Sequence, residues 1–312
     1  MKIRGCIHDG WLLLRDIKGV DEIFLYYLLL TEKEALLIQG NGSIFTNLKT
    51  DILKEHIVKL PPLPEQKAIA EVLSSLDDKI DLLHRQNKTL EQMAETLFRQ
   101  WFVPACAGKP HADREEAKED WEKVELGSVI ETTSGGTPSR KKMEFYENGI
   151  HNWVKSKELN GSFILETEES ITEDALMNSS AKLLPKNSVL IAMYGATVGE
   201  YAIITKEMTC NQAICALKPN KLYPYTFLFL FIKTLKDEII NMAVGSAQQN
   251  ISQILIKQLP IISPNDKIIE FNKDTEPMFD KIYRNQTQIR TLEKMRDTLL
   301  PKLMRGEVQI KT

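Results

Sequence analysis

No stretch of this 312-residue chain is apolar enough to cross a membrane as a helix. The longest uninterrupted apolar run, residues 23–30, falls far short of the roughly 20 residues a span requires. A signal-peptide core is missing too, because the short apolar run at 11–14 ends at once in Arg15 and Asp16; the expected location is the cytoplasm. Cysteine is scarce, and Cys6, Cys106, Cys210 and Cys215 form no CxxC pair, which fits reduced thiols rather than a disulfide framework or a zinc site. Charge of one sign is not in excess either. With 40 basic against 43 acidic residues the net charge is −3, so any nucleic-acid surface must be local.

Catalytic signatures are also lacking. There is no GxxxxGK[ST] loop, no HExxH, no GxGxxG after a strand and no Gly-x-Ser-x-Gly elbow. His8, His56, His84, His111 and His151 are not spaced as metal ligands. A methyltransferase acting on DNA bases is expected to carry Asn/Asp-Pro-Pro-aromatic, whereas the only Pro-Pro, Pro61-Pro62, stands between Leu60 and Leu63. No residue is assigned to catalysis, to a metal or to a bound cofactor. The composition, 43% apolar and 27% charged, is that of an ordinary globular chain with room for two folded units.

What is present, above all, is duplication. Phe24-Leu25 to Thr31 recurs as Phe227-Leu228 to Thr234, Gly42-Ser43 as Gly245-Ser246, and Leu60-Pro61 as Leu259-Pro260. Residues 78–98 then match 280–300 with Asp78, Lys79, Ile80, Gln86, Thr89, Leu90, Glu91, Met93, Thr96 and Leu97 all repeated, at an offset of 202. So long a period makes each copy a whole domain followed by a helix. Residues 121–226 precede Phe227, but only 1–23 precede Phe24. The first domain is therefore expected to lack most of its N-terminal part, with 1–14 corresponding to about 206–217.

The helices are read from a seven-residue period. After Pro61-Pro62-Leu63-Pro64, residues 65–101 contain neither Gly nor Pro, enough for a rod of roughly 55 Å. Copy two is similar but rougher, and Pro277 is expected to kink its helix or delay its start. An antiparallel pairing with Asn87 opposite Asn285 sets the remaining layers. Ile80 meets Leu292, Leu83 meets Ile289, Leu90 meets Ile282, Leu73 meets Leu299, and Trp101 meets Phe271. Leu76 against Arg296 and Leu97 against Thr275 are the poor layers. A parallel register would set Asn87 against Ile289 and Leu83 against Asn285, costing roughly 1–3 kcal/mol for each unpaired amide. The competing reading has two surface helices of separate domains with Asn at a wet edge.

Between the helices, 104–120 reads as a charged, Pro- and Gly-containing linker. Trp121 opens a domain of short strands broken by turn signals, with a hairpin around 193–199 and a helix near 225–242. Arg140, Lys141, Lys142, Lys155 and Lys157 precede an acidic stretch from Glu158 to Asp174, so charge segregates along the chain and is expected on opposite faces. The acids of 166–174 read as a solvated edge.

The order of these pieces carries a resemblance. Leu60 to Gln66 (Leu-Pro-Pro-Leu-Pro-Glu-Gln), a long helix, Trp121-x4-Leu126-Gly127, Gly136-Thr137-Pro138-Ser139, a second domain and a second long helix ending Leu303-Met304-Arg305-Gly306 resemble the specificity (S) subunit of type I restriction-modification enzymes, over the whole chain. In copy two, 260–266 depart from the Leu-Pro-Pro-Leu-Pro-Glu-Gln pattern. The resemblance implies an α+β fold of tandem target-recognition domains, the first incomplete, joined by two spacer helices in an antiparallel coiled coil. The expected divisions are the end of the first recognition domain (1–64), the first spacer helix (65–103), the linker (104–120), the second recognition domain (121–264), the second spacer helix (265–305) and a tail (306–312).

It also implies a non-catalytic subunit that directs methylation and cleavage subunits to a bipartite target in double-stranded DNA. Its partners would be M subunits, two of them, docked on the helices, and R subunits reached through the complex, with self-association through the shortened domain. S-adenosylmethionine, ATP and Mg would sit on those partners. The alternative is a scaffold or silent copy that binds M subunits and recognises no DNA.

Groove readout needs exposed cations and amides. The DNA-contact candidates are therefore Ser134, Gly136, Thr137, Arg140, Lys141 and Lys142 in a glycine-rich basic loop, Lys155 and Lys157 beside Trp153, Tyr194 in the hairpin, and Gln248, Gln249 and Asn250. Each has a plain structural reading beside it: a solvated turn, lysines on a strand whose Trp is core, a structural hairpin, and a helix cap by Asn250.

Overall fold

The computed structural model describes residues 11–40, 50–103, 121–244 and 250–310. The linker 104–120, Gln248, Gln249, Cys6, Cys106 and the repeated Gly42-Ser43 and Gly245-Ser246 lie outside them. The chain runs α1 (Glu22–Gly40), α2 (Thr50–Glu55), α3 (Leu63–Phe102), β1 (Lys123–Glu125), α4 (Leu126–Val129), β2 (Thr132–Ser134), β3 (His151–Val154), β4 (Phe163–Ile164) and β5 (Glu169–Ile171). It continues with α5 (Glu173–Met177), β6 (Val189–Ala192), β7 (Tyr201–Ile204), β8 (Thr209–Cys210), β9 (Ile214–Leu217), α6 (Tyr225–Val244), α7 (Gln253–Lys257), β10 (Pro260–Ile262) and α8 (Asp266–Met304). Two compact units result, one from residues up to 85 together with those from 288 onward, the other from 86–287. Both α3 and α8 contribute to each.

In the first unit, the Asp21 carboxylate caps α1 by accepting from the backbone N–H of Ile23 and Phe24, each at 3.0 Å. Helix α3 begins at Leu63, inside the proline run rather than after it. Pro64 falls in the first turn, where its missing N–H has no helical partner to lose. Gln66, 1% exposed, ties the two helix starts together. Its Oε1 accepts from the Asp21 N–H at 2.9 Å and its Nε2 donates to the Pro61 carbonyl at 2.8 Å. The core joins Phe24, Tyr27 and Leu28 of α1 to Ile69, Ala70 and Leu73 of α3 and Leu303 of α8, with Leu299 packed against it. Farther along, Ile80 and Leu83 pack with Ile289 and Leu292. The poor Leu76–Arg296 layer is relieved because Arg296 turns aside to donate to Asp77 at 2.8 Å, and Asp77 also accepts from the Tyr27 hydroxyl at 2.6 Å.

The second unit is built on a five-stranded sheet ordered β2-β9-β6-β7-β4 and a three-stranded sheet ordered β5-β3-β8, with β1 and β10 paired separately. Strands β6, β7 and β9 are buried at every position, which explains their unbroken apolar runs. Val189, Ile191, Tyr201, Ile203, Cys215 and Leu217 belong to the larger core with α6, while Leu190, Ala192, Ala202, Ile204 and Ala216 pack in a second cluster with Val154 and Met208. The expected hairpin is present as β6 antiparallel to β7, joined through a 3-10 turn at Gly195–Thr197. Burial pushes the Cys210 and Cys215 thiols up to about 12, so both stay protonated.

The helix pair in this unit is antiparallel. Asn285 Nδ2 donates to Asn87 Oδ1 at 2.8 Å, the two amides buried together. Leu90 and Ile282 join the larger core, and the Trp101 and Phe271 rings meet at 5.9 Å. Thr275 satisfies its hydroxyl on the Phe271 carbonyl at 2.9 Å, which softens the other poor layer. Pro277 neither delays nor interrupts the helix. Helix α8 runs unbroken from Asp266, and Phe279 just beyond the proline is held by the Tyr225 and Phe229 rings at 5.9 and 5.4 Å. That packing outweighs the roughly 3 kcal/mol an interior proline costs.

Candidate nucleic-acid interface

The described candidate residues of the second unit converge on one rim where strands of both sheets end. Met193 N–H donates to the Ala213 carbonyl at 2.7 Å and Ile251 N–H to the Met193 carbonyl at 2.9 Å, so the loops after β6, before β9 and before α7 are neighbours. Tyr194 and Asn250 face each other in an antiparallel bridge. Gly136 N–H donates to the Cys210 carbonyl and Asn211 N–H to the Val154 carbonyl, both at 2.9 Å, which brings in the loops after β2, β3 and β8.

The glycine-rich loop packs inward. A Cβ on Gly135 would lie 2.2 Å from the Cys210 carbonyl oxygen, and one on Gly136 would lie 2.3 Å from the Ser180 backbone. The close approach these glycines serve is to the protein's own backbone, so the buried Gly136 presents no free surface to a ligand. Trp153 is core, as its plain reading had it, and its Nε1 donates to the Gly136 carbonyl at 3.0 Å. Asn250 does not cap α7. Ser252 does, accepting from the Leu255 N–H at 3.2 Å.

Charge does not separate onto opposite faces. The β3–β5 pairing sets Trp153 opposite Glu169, which carries the acidic stretch to the basic one. Arg140 binds Glu169 at 2.6 Å, Lys155 binds Glu168 and Glu169 at 2.8 Å each, and Lys157 binds Glu168 at 2.7 Å. Hydrogen bonds from Lys155 and Lys157 pull the Glu168 carboxyl down to about 2, and those from Arg140 and Lys155 lower Glu169. Burial pulls the Lys155 ammonium down, but its bonds to the two carboxylates outweigh this and raise it. The Arg140 guanidinium also stacks 4.2 Å from the Tyr146 centroid and 4.9 Å from that of Trp153. Lys141 and Lys142 are exposed and enter no ion pair among the described residues, although Lys142 lies over the Phe145 ring at 4.7 Å.

Sequence reasoning singled out Ser134 and Thr137 on this rim but passed over the side chains that hold them. The Ser134 hydroxyl donates to Gln253 Oε1 at 2.8 Å, Gln253 Nε2 donates to the Thr132 hydroxyl at 2.9 Å, and the Thr137 hydroxyl donates to Gln212 Oε1. Lys182 donates to the Thr133 hydroxyl at 2.9 Å. The available signal was the Asn211-Gln212 pair between two apolar strands, where the Asn211 side chain accepts from the Ala213 N–H at 3.2 Å and turns the loop.

A family profile described as "Type I restriction modification DNA specificity domain" matches residues 7–92 and 118–294. The type I restriction enzyme MjaIX specificity subunit of Methanocaldococcus jannaschii is 31% identical over 307 residues, covering 94% of this chain and 70% of its own. The HindI specificity subunit of Haemophilus influenzae is 26% identical over 355 residues, covering 91% and 77%. The crystal structure of the type I restriction-modification S subunit from M. genitalium superimposes with a TM-score of 0.63 at 19% identity, over 91% of this chain and 73% of that one, and shares its fold.

Proposed function

Because this chain belongs to the family of type I restriction-modification specificity subunits, we propose that the rim of its second unit reads one half of a split target in double-stranded DNA. The chain is the recognition component of such a system rather than its catalyst. The observation that carries the reading is the family match across 7–92 and 118–294, which includes every loop of the rim. Its chemistry suits the task. Lys141 and Lys142, which enter no ion pair among the described residues, supply cations for phosphates, and Tyr194, Gln212 and Asn250 supply polar groups for base edges.

The same reading gives the remaining parts their roles. Helices α3 and α8 dock two M subunits, R subunits join through the complex, and S-adenosylmethionine, ATP and Mg belong to those partners. The site of action is the cytoplasm; none of the described helices is long and apolar enough to cross a membrane. Copies of the chain associate through the exposed Ile23, Tyr26, Leu30 and Leu37 of α1. Light scattering of the purified chain tests that association, and a clean monomer at micromolar concentration refutes it. Recognition is tested by co-expression with the M subunit and sequencing of methylated adenines in the host DNA. A discrete, reproducible motif is the expected result; a stable complex with no motif would leave only the scaffold role.

A further inference from the structure

Two kinds of side chain on the rim are held in different ways. Arg140, Lys155 and Lys157 are committed to carboxylates, whereas the Gln212 amide is pinned by a single neutral hydroxyl, that of Thr137. Gln212 is exposed, on the turn between β8 and β9 that the Asn211 side chain closes. One lone pair of its Oε1 is taken by Thr137. The second lone pair and both Nε2 hydrogens face no partner among the described residues. An acceptor and a donor side by side on one fixed amide match the N6–H and N7 edge that adenine shows in the major groove. A free glutamine would have to give up its rotamer freedom on binding, and the Thr137 bond removes part of that freedom beforehand.

We infer that Gln212 reads an adenine of the half-site and that Thr137 is the positioning residue that holds its amide for bidentate contact; this rests on the DNA-recognition reading above. Thr137 then acts through Gln212 and not by its own contact with DNA. The exposed Lys141 and Lys142, in no ion pair among the described residues, bind phosphate and carry affinity without base choice.

The test uses the full chain in complex with its M subunit, with two readouts: the methylated motif in host DNA, and the affinity for a duplex bearing that motif against duplexes substituted one base at a time, measured across a salt series. For Gln212→Ala, one adenine position of the motif relaxes, discrimination there falls about tenfold or more, and the salt dependence stays unchanged. Thr137→Val weakens discrimination at that same position, and Thr137→Ser restores it. Replacing Lys141 and Lys142 by Ala lowers the salt slope by about 2 and leaves the motif intact.

If Gln212→Ala keeps the full motif and the same discrimination at every position, the inference is overturned while DNA recognition stands. Relaxation at that position with Thr137→Val indistinguishable from wild type removes the positioning role. If the wild-type complex methylates no discrete motif, the recognition reading itself fails and this inference goes with it.

Discussion

The two copies of the repeat give their matched elements opposite surroundings. Strand β9 is buried at all of its residues, between β2 and β6; its counterparts at offset 203, Trp11, Leu12, Leu13 and Leu14, are 41–65% exposed and form no strand. Helix α6 lies against the five-stranded sheet, where Phe229 meets Tyr201 at 5.1 Å and is 3% exposed. The matching residue of α1, Tyr26, is 55% exposed, although Phe24 and Phe227 are equally buried. What differs is one face only. The side of α1 that meets α3 and α8 is packed as in the second copy, and the side that meets a sheet in the second copy has none among the described residues. Apolar character thus records the repeat from which a segment descends as much as the contacts it now makes.

The comparison breaks most visibly at the strand. Leu217→Asp places an unpaired charge in the core of the second unit and is expected to abolish cooperative unfolding of that unit, whereas the matched Leu14→Asp changes stability by less than about 0.5 kcal/mol and improves solubility. Paired thermal and urea unfolding curves would show it, and equal losses from the two variants would mean that residues 11–14 are covered after all. On the helices, Phe229→Ala is expected to cost about 3–5 kcal/mol and Tyr26→Ala less than about 1.

A third pair lies on the long helices, where Phe279 of α8 is matched by Asp77 of α3. The aromatic is packed among rings; the acid holds Arg296 and Tyr27. Phe279→Ala should cost about 3–5 kcal/mol, and Asp77→Ala about 1–3 by leaving the Tyr27 hydroxyl without its acceptor and Arg296 with Asp297 alone. A reversed order in denaturant melts would show that the polar layer, not the aromatic one, bears the helix pair.

The smallest effect is acid sensitivity confined to the second unit. Glu168 and Glu169 titrate below their unfolded values, so their contribution is present above the ordinary carboxylate range and is lost as pH falls toward about 2. Between about pH 5 and about pH 3 the wild type should lose more in its melting temperature than a Glu168→Gln/Glu169→Gln variant does, by a degree or so. Parallel slopes for the two proteins would mean that the ion pairs at the rim add nothing to stability.

The helices were legible because they rest on local periodicity, and their register because pairing the two polar seam positions, Asn87 and Asn285, sets the remaining layers; that hydrogen bond exists. Helix α3 starts earlier than the proline run suggests, because Pro64 stands in a first turn and breaks nothing. The rim was legible in residue types but not in chemistry. Arg140, Lys155 and Lys157 are separated in sequence from Glu168 and Glu169, and only the antiparallel register of β3 with β5 joins them. A glycine such as Gly136 says that something comes close without saying what, and here it is the Ser180 backbone. Gln212 carried no motif at all, and its place follows from the turn that Asn211 makes between two strands.

Helices α3 and α8 have a consequence for the order in which the protein can be made. The core of the first unit joins Leu73 to Leu303, residues on either side of the entire second unit in the sequence. During synthesis α1 and α3 emerge first, yet Leu303, which helps to cover Ile69 and Leu73, follows only after the whole second unit has been translated. The second unit, 86–287, has all of its own residues available before the first unit can close. Helix α1 and the start of α3 must therefore wait, apolar face uncovered, for the end of α8, and the first unit closes only across that long loop.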